Sequence, residues 1–371
     1  MRQLPVLESR RQALETCVFC PKLCRSACPV SNAEATETLT PWGKMSSVYF
    51  LANGDVPATE PFARTSLACT GCFACREMCD HKNDVAGTLL AARAAEAAAG
   101  ILPEVATRVG RGFARHEAET LAAVQALSAG PLVRQDAEDA LLIGCTYMRK
   151  LPAESTDAIS AASGLVGGAV AIAPGCCGLP LLYAGDSEGF AHHARLMAQR
   201  LARFRRVLVV DAGCAATLRQ RYPGVASLAP AVELVVELAA REVFRLSSLG
   251  ASRPVRYHDP CKLGRGLGVY EEPRRVLARV LGRCADEFHA EGRAAVCSGG
   301  GGLLPITMPD TAQRIAEARM AEHEHAGGGE VVTACASSLI SFRKAASRMP
   351  SPSRVTDLVS WIARAIPPFR R

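Results

Sequence analysis

From residue 136 onward, short unbroken apolar runs end at or just before cysteines. Leu141–Ile143, Ala169–Ala173 and Val207–Val210 are the first three. Between such runs, stretches such as Ser187–Phe204 and Thr311–Glu324 carry an apolar stripe interrupted by charges, which predicts helices. Apolar strands alternating with helices of this length predict βαβ units and a parallel sheet. Ligands of such sheets collect beyond the C-terminal strand ends, where these cysteines fall.

The pattern occurs twice. Leu141-Leu-Ile-Gly-Cys145 corresponds to Val255-Arg-Tyr-His-Asp-Pro-Cys261, and Ile172-Ala-Pro-Gly-Cys176-Cys177-Gly178 corresponds to Ala295-Val-Cys297-Ser298-Gly299. Val207-Leu-Val-Val-Asp-Ala-Gly-Cys214 corresponds to Val331-Val-Thr-Ala-Cys335. Cys176 and Cys214 lie 38 positions apart, as do Cys297 and Cys335. A repeat of about 110 residues is a duplicated domain, because solenoid units run about 20–50. Gly178 and the run Gly299–Gly302 suit sharp bends or close approach to a bulky cofactor. They do not form the G-x-G-x-x-G fingerprint of a dinucleotide site.

Composition narrows the function classes. The 371 residues are 49% hydrophobic, ample for two or three packed domains, with a formal charge of +7. No block of like charge and no basic–aromatic interleaving argues for nucleic acid. The best membrane candidate, Leu165–Pro174, falls well short of the roughly 18 apolar residues of a span. The chain reads as cytoplasmic, with membrane contact only through a partner.

Sixteen cysteines carry the chemistry. Eight form two dense runs, Cys17, Cys20, Cys24 and Cys28 before Pro29, then Cys69, Cys72, Cys75 and Cys79. Four thiolates on one short stretch suit the corners of an iron–sulfur cube. Disulfides need an oxidising compartment, and the first residues, Met1 to Arg11, carry no secretory apolar core. Zinc remains the alternative, though it favours paired C-x-x-C knuckles set apart by a longer finger. Asp211 is read as a cap after its strand or an oxygen ligand, His258 as orienting the loop before Cys261, and His81 as a solvated neighbour of Cys79. Cys284, outside every motif, is expected to be a small buried residue. The neighbours His192 and His193 diverge on a helix and make a poor metal pair.

The runs resemble those of two-cluster ferredoxins, in which the fourth cysteine of each run ligates the other run's cluster. That resemblance implies one cube on Cys17, Cys20, Cys24 and Cys79, and another on Cys69, Cys72, Cys75 and Cys28. Two departures stand out: three residues separate Cys20 from Cys24, and Asp80 follows the second run where proline is common.

The pattern of cysteine, then Cys-Cys-Gly, then Cys-x-x-Cys, occurring twice after such a segment, resembles the cysteine-rich (CCG) domain family. Its members include heterodisulfide reductase subunits, the iron–sulfur subunits of glycolate oxidase and anaerobic glycerol-3-phosphate dehydrogenase, and lactate-utilisation proteins. Pro41-Trp42-Gly43-Lys44 and His258-Asp-Pro-Cys261-Lys-Leu-Gly-Arg265 also look like this family. The resemblance implies an α-helical two-cluster ferredoxin domain (1–100), a helical linker (101–135), and two duplicated α/β domains with parallel sheets (136–250 and 251–371). A complete CCG site has five cysteines. The first copy keeps Cys145, Cys176, Cys177 and Cys214 with Thr217 in the fifth place, enough for a further iron–sulfur cluster. The second keeps Cys261, Cys297 and Cys335, with Ser298 and Ser338 in the others. Three thiolates hold a cube with one open iron, take a partner's ligand, or hold nothing.

The expected function is iron–sulfur electron transfer within a multi-subunit oxidoreductase, beside a flavoprotein partner that by resemblance oxidises a 2-hydroxy acid such as glycolate or lactate. Disulfide reduction at a CCG-domain cluster is the alternative, and a zinc-binding scaffold the third reading.

Overall fold

The computed structural model describes residues 1–222, 231–350 and 353–367. They form two compact units, neither continuous in sequence. The first comprises Met1–Phe113, Pro180–Phe190 and Arg293–Ala321, and the second Ala114–Leu179, Ala191–Gly292 and Glu322–Arg371.

The first unit is helical. Helices Arg11–Val18, Pro41–Asn53 and Val85–Ala98 bury Leu14, Met45, Val48, Leu51, Leu89 and Ala92 in one core. The Pro41–Asn53 helix starts where sequence chemistry dictates. The Thr40 hydroxyl caps the Gly43 amide at 3.1 Å, and Pro41 fills a first-turn position that needs no N–H. It ends on Gly54 at φ +84°, a left-handed C-terminal residue. Segment 293–321 completes this unit. Leu304, Ala312 and Ile315 pack with Cys28, Val30 and Ala68, and Gly301 and Gly302 lie against the carbonyls of Thr70 and Cys69. A side chain at either glycine would stand 2.4 Å from those oxygens.

The second unit holds both α/β copies. Strands β1 (Asp139–Leu142), β2 (Ala171–Ile172), β3 (Arg206–Val209) and β4 (Ala231–Leu234) form a parallel sheet in the order β2-β1-β3-β4. Strands β5 (Val255–His258), β6 (Asp286–Glu287), β7 (Glu330–Thr333) and β8 (Arg354–Asp357) repeat it as β6-β5-β7-β8. Leu141 pairs with Ile172 on one side and Leu208 on the other; Tyr257 pairs with Glu287 and Val332. The central strands β1, β5 and β7 are buried throughout, as expected of a parallel sheet covered on both faces. Helix Pro152–Val166 of the first copy packs on Leu358–Ala365 of the second. Gly164 permits that approach, since a β-carbon there would stand 2.8 Å from Ile366. Among the described residues no helix is long and apolar enough to cross a membrane.

Candidate metal centres

Three groups of cysteines come together. Around one cavity in the first unit stand Cys28, Cys69, Cys72 and Cys75, with Val30, Val85 and Leu89 supplying apolar lining. Gly71 and Phe73 take left-handed conformations, at φ +66° and +62°, coiling the Cys69–Cys75 loop so that three of its sulfurs share this cavity. Phe73 is strained there, at about 1 kcal/mol or more, and such strain concentrates at functional sites. Burial holds the Cys75 thiol well above the ordinary range. Lys44, 2% exposed, lines the same cavity, and its ammonium donates to the Cys28 sulfur at 3.2 Å.

The second group is Cys17, Cys20, Cys24 and Cys79. Burial pushes the Cys17 thiol up to about 12, and the thiols that act on it electrostatically are Cys24, Cys79 and Cys20. The Asn83 amide donates to the Cys17 sulfur at 3.1 Å and to the Ala13 carbonyl at 2.7 Å. Burial lifts Cys24 to about 11. Thiols raised in this way must lose protons to bind metal, so loading and deprotonation are linked. Each group of four soft sulfur donors fits an iron–sulfur cube.

The third group belongs to the first α/β copy, at the carboxyl ends of its strands. Cys145 opens a short helix directly after Gly144, whose φ of +103° few residues tolerate. A β-carbon at Gly144 would lie 3.1 Å from Asp211 and 3.6 Å from the Cys214 sulfur. Cys176 and Cys177 follow β2. The Cys176 amide donates to Glu117 Oε2 at 2.9 Å, and the Cys177 carbonyl accepts from the Tyr222 hydroxyl at 2.9 Å. Cys214 sits in the first turn of helix Ala212–Arg221, its amide donating to Asp211 Oδ1 at 3.1 Å. Asp211 is thus the helix cap. The sulfurs of Cys145 and Cys176 are 3.5 Å apart. Neighbouring thiols that donate to Cys145 and Cys177 pull both below the usual range. Cys176 and Cys214, the donors, rise. Four buried sulfurs that share protons in this way suit a cation. Thr217 spends its hydroxyl on the Gly213 carbonyl at 2.7 Å.

The structure adds a side chain that no motif marked. His116, on helix Phe113–Ser128 upstream of the repeat, brings a ring nitrogen within 4.8 Å of the Cys145 and Cys176 sulfurs. Arg149 Nη1 lies 2.5 Å from His116 Nδ1, and arginine can only donate. Nδ1 therefore accepts, and the ring adds to the Cys176 thiol in drawing Cys145 down. His193, paired with His192 in sequence, is buried alone of the two and sets Nε2 2.7 Å from the Cys176 carbonyl.

The second copy is arranged differently. Cys261 and Cys335 lie in the second unit, where each acts electrostatically near the other. Cys297 lies in the first unit, its sulfur 3.7 Å from the Thr70 hydroxyl. Ten positions separate Cys297 from the end of β6, against four between β2 and Cys176. His258 is buried edge-on to Phe342 at 4.7 Å, directly before the loop to Cys261. His81 is exposed. Cys284, expected inside, is also exposed, in the turn after helix Glu271–Leu281.

Known proteins match these regions. Residues 140–219 and 255–343 each match the cysteine-rich domain called CCG, and residues 13–83 match the 4Fe-4S dicluster domain. The chain thus combines a segment similar to the 4Fe-4S dicluster domain with two segments similar to the cysteine-rich domain. It is 26% identical over 352 residues to one of the subunits of fumarate reductase (CoM/CoB) from Methanothermobacter marburgensis, covering 87% of this chain and 66% of that relative. It is 25% identical over 206 residues to one of the subunits of dihydromethanophenazine:CoB–CoM heterodisulfide reductase from Methanosarcina barkeri, covering 52% and 49%. Lactate utilization protein A of Geobacillus kaustophilus is 27% identical over 195 residues, covering 49% of this chain and 80% of that protein. The chain thus spans two thirds or less of the first two relatives' lengths.

Proposed function

We propose that this chain is the iron–sulfur electron-transfer subunit of a multi-subunit oxidoreductase, working beside a flavoprotein. The observation that carries the reading is the sorting of eight ferredoxin-type cysteines into two groups of four, each drawing on both runs. Cys28 stands with Cys69, Cys72 and Cys75, and Cys79 stands with Cys17, Cys20 and Cys24. When bound, cubes at these positions supply one-electron transfer. The chain's own part is to bury Cys17, Cys28 and Cys72, to direct Lys44 and Asn83 at the sulfurs, and to hold the loops that present them. Cys145, Cys176, Cys177 and Cys214 are the ligands assigned to a further cluster.

A flavin partner follows from chemistry, because something must convert a two-electron organic oxidation into single electrons. No dinucleotide fingerprint stands in this sequence to hold a flavin. The names of the relatives, subunits of fumarate and heterodisulfide reductases and a lactate-utilisation protein, support membership of such a complex. The substrate we assign by analogy is a 2-hydroxy acid. Anaerobic purification with iron, sulfide and zinc analysis tests the reading. A brown protein with about eight or more irons per chain is expected. A colourless zinc protein overturns it, and hydroxy-acid oxidation by the flavin-free chain removes the need for a partner.

A further inference from the structure

The two ferredoxin-type sites receive hydrogen bonds of different charge. At Cys17 the donor is the neutral amide of Asn83. At Cys28 it is the ammonium of Lys44, buried to 2% exposure on helix Pro41–Asn53. The local fold fixes that placement. Gly43 lies against the carbonyls of Glu37 and Thr38, with no room for a β-carbon, and this seats the helix start so that the next residue is enclosed. Among the described residues, the one hydrogen-bond partner of the Lys44 ammonium is the Cys28 sulfur. A buried cation needs an opposite charge. Here that charge comes from a ligating thiolate. A second buried cation, Arg93, donates to the Cys69 carbonyl at 2.8 Å beside the same cavity. Near the other site the cations are less enclosed: Lys22, half-buried, rests over the Trp42 ring, and exposed Arg25 pairs with Glu37. Solvent screens such charges far more than buried ones.

Cluster potentials follow net charge, hydrogen bonds to sulfur and exposure. We propose that Lys44 sets the potential of the site formed by Cys28, Cys69, Cys72 and Cys75, making it the member of the pair that is reduced first. This rests on the electron-transfer reading above. Each event adds one electron, drawn from the flavoprotein partner of that reading; no bond forms or breaks. The ammonium already in place offsets the added charge, so no proton need enter. Asn83 supplies no such charge, and its site is the low-potential one.

The test is an anaerobic redox titration of the full-length protein, followed by electron paramagnetic resonance. Signals are assigned with Cys69→Ser, which perturbs the site beside Lys44, and Cys79→Ser, which perturbs the other. In the wild type the Cys69-sensitive signal is expected to develop first as the potential is lowered. Lys44→Met should lower the reduced-to-oxidised ratio of that site about tenfold at fixed potential, about 59 mV for one electron, and leave the other within twofold. Lys44→Arg should restore most of it. Where Lys44→Met loses the cluster, Lys44→Gln and the wild-type order carry the test. A Cys79-sensitive signal developing first, or an unchanged ratio in a fully loaded Lys44→Met or Lys44→Gln protein, overturns the assignment. A wild type that binds no iron sinks the electron-transfer reading instead.

Discussion

The two α/β copies share strand order, register and three cysteine positions, yet they differ in how those cysteines are gathered. In the first, three strand ends deliver four sulfurs to one place, and Gly144 lets the Cys145 loop close onto Cys214. In the second, Pro260 stands directly before Cys261, two positions are Ser298 and Ser338, and a longer loop after β6 takes Cys297 into the other unit. The sheets depend on apolar runs such as Val207–Val209 and Val331–Val332, which make no demand on metal. The sites depend on loop length and on a few backbone conformations. A duplicated domain can therefore keep its fold while its ligand set is dispersed.

The largest expected effect breaks this comparison if it fails. Cys177→Ser should remove about four irons per chain, since it takes one of only four thiolates. Cys335→Ser and Cys297→Ser should leave iron content unchanged. Equal loss from all three, measured on anaerobically loaded protein, would mean that the second copy also binds. Gly144→Ala comes next. Its positive φ and the contact with Asp211 predict a cost of about 1–3 kcal/mol in denaturant unfolding, together with weaker loading of the first copy.

A third prediction uses a difference at the fourth strands. β4 ends on Leu234 and β8 on Asp357. Asp357 is buried, caps the following helix and accepts from the Tyr147 hydroxyl at 2.6 Å. Burial raises its pKa to about 7, from an ordinary value near 4. Between those values the folded state holds a proton that the unfolded state has released, so stability falls as pH rises from about 4 to about 7. Asp211, raised by burial to about 6, acts in the same direction. Asp357→Asn keeps the acceptor and should flatten this fall by up to about 1.4 kcal/mol per pH unit, read from urea midpoints at pH 5, 6 and 7. An unchanged slope would show that another group carries it. The smallest effect is that of Cys284→Ser, exposed and outside the sites: no change in iron and under about 0.5 kcal/mol in stability.

Much of this architecture was legible in the residues. The equal 38-position spacing of Cys176–Cys214 and Cys297–Cys335 announced a duplication, the apolar runs announced β1, β2 and β3, and β5 and β7 followed by correspondence. Strands β4 and β8 escaped because they are short and partly polar, as in Arg354-Val-Thr-Asp357. Among the ligand-side donors, Lys44 stood inside a noted segment, but nothing in its spacing showed that its charge turns inward. Asn83 and His116 had no signal. Each reaches its sulfur from a separate helix or loop, and local pattern carries no information about such meetings. Cys284 misled because cysteine is usually buried, whereas here the chain turns outward after Gly282.

The pairing of Tyr147 with Asp357 also bears on how the chain is made. Those residues are 210 positions apart, and helix Pro152–Val166 rests on Leu358–Ala365. As the chain leaves the ribosome, the first copy emerges early but lacks a packing surface until residue 365 follows. The helical unit likewise waits for residues 293–321, although its eight ferredoxin-type thiols have emerged by residue 79. Contacts so distant in sequence form late in folding. During that interval those thiols lack the packing contributed by residues 293–321, so a cluster loaded before that segment is made would meet a more open form of its site than one loaded afterwards.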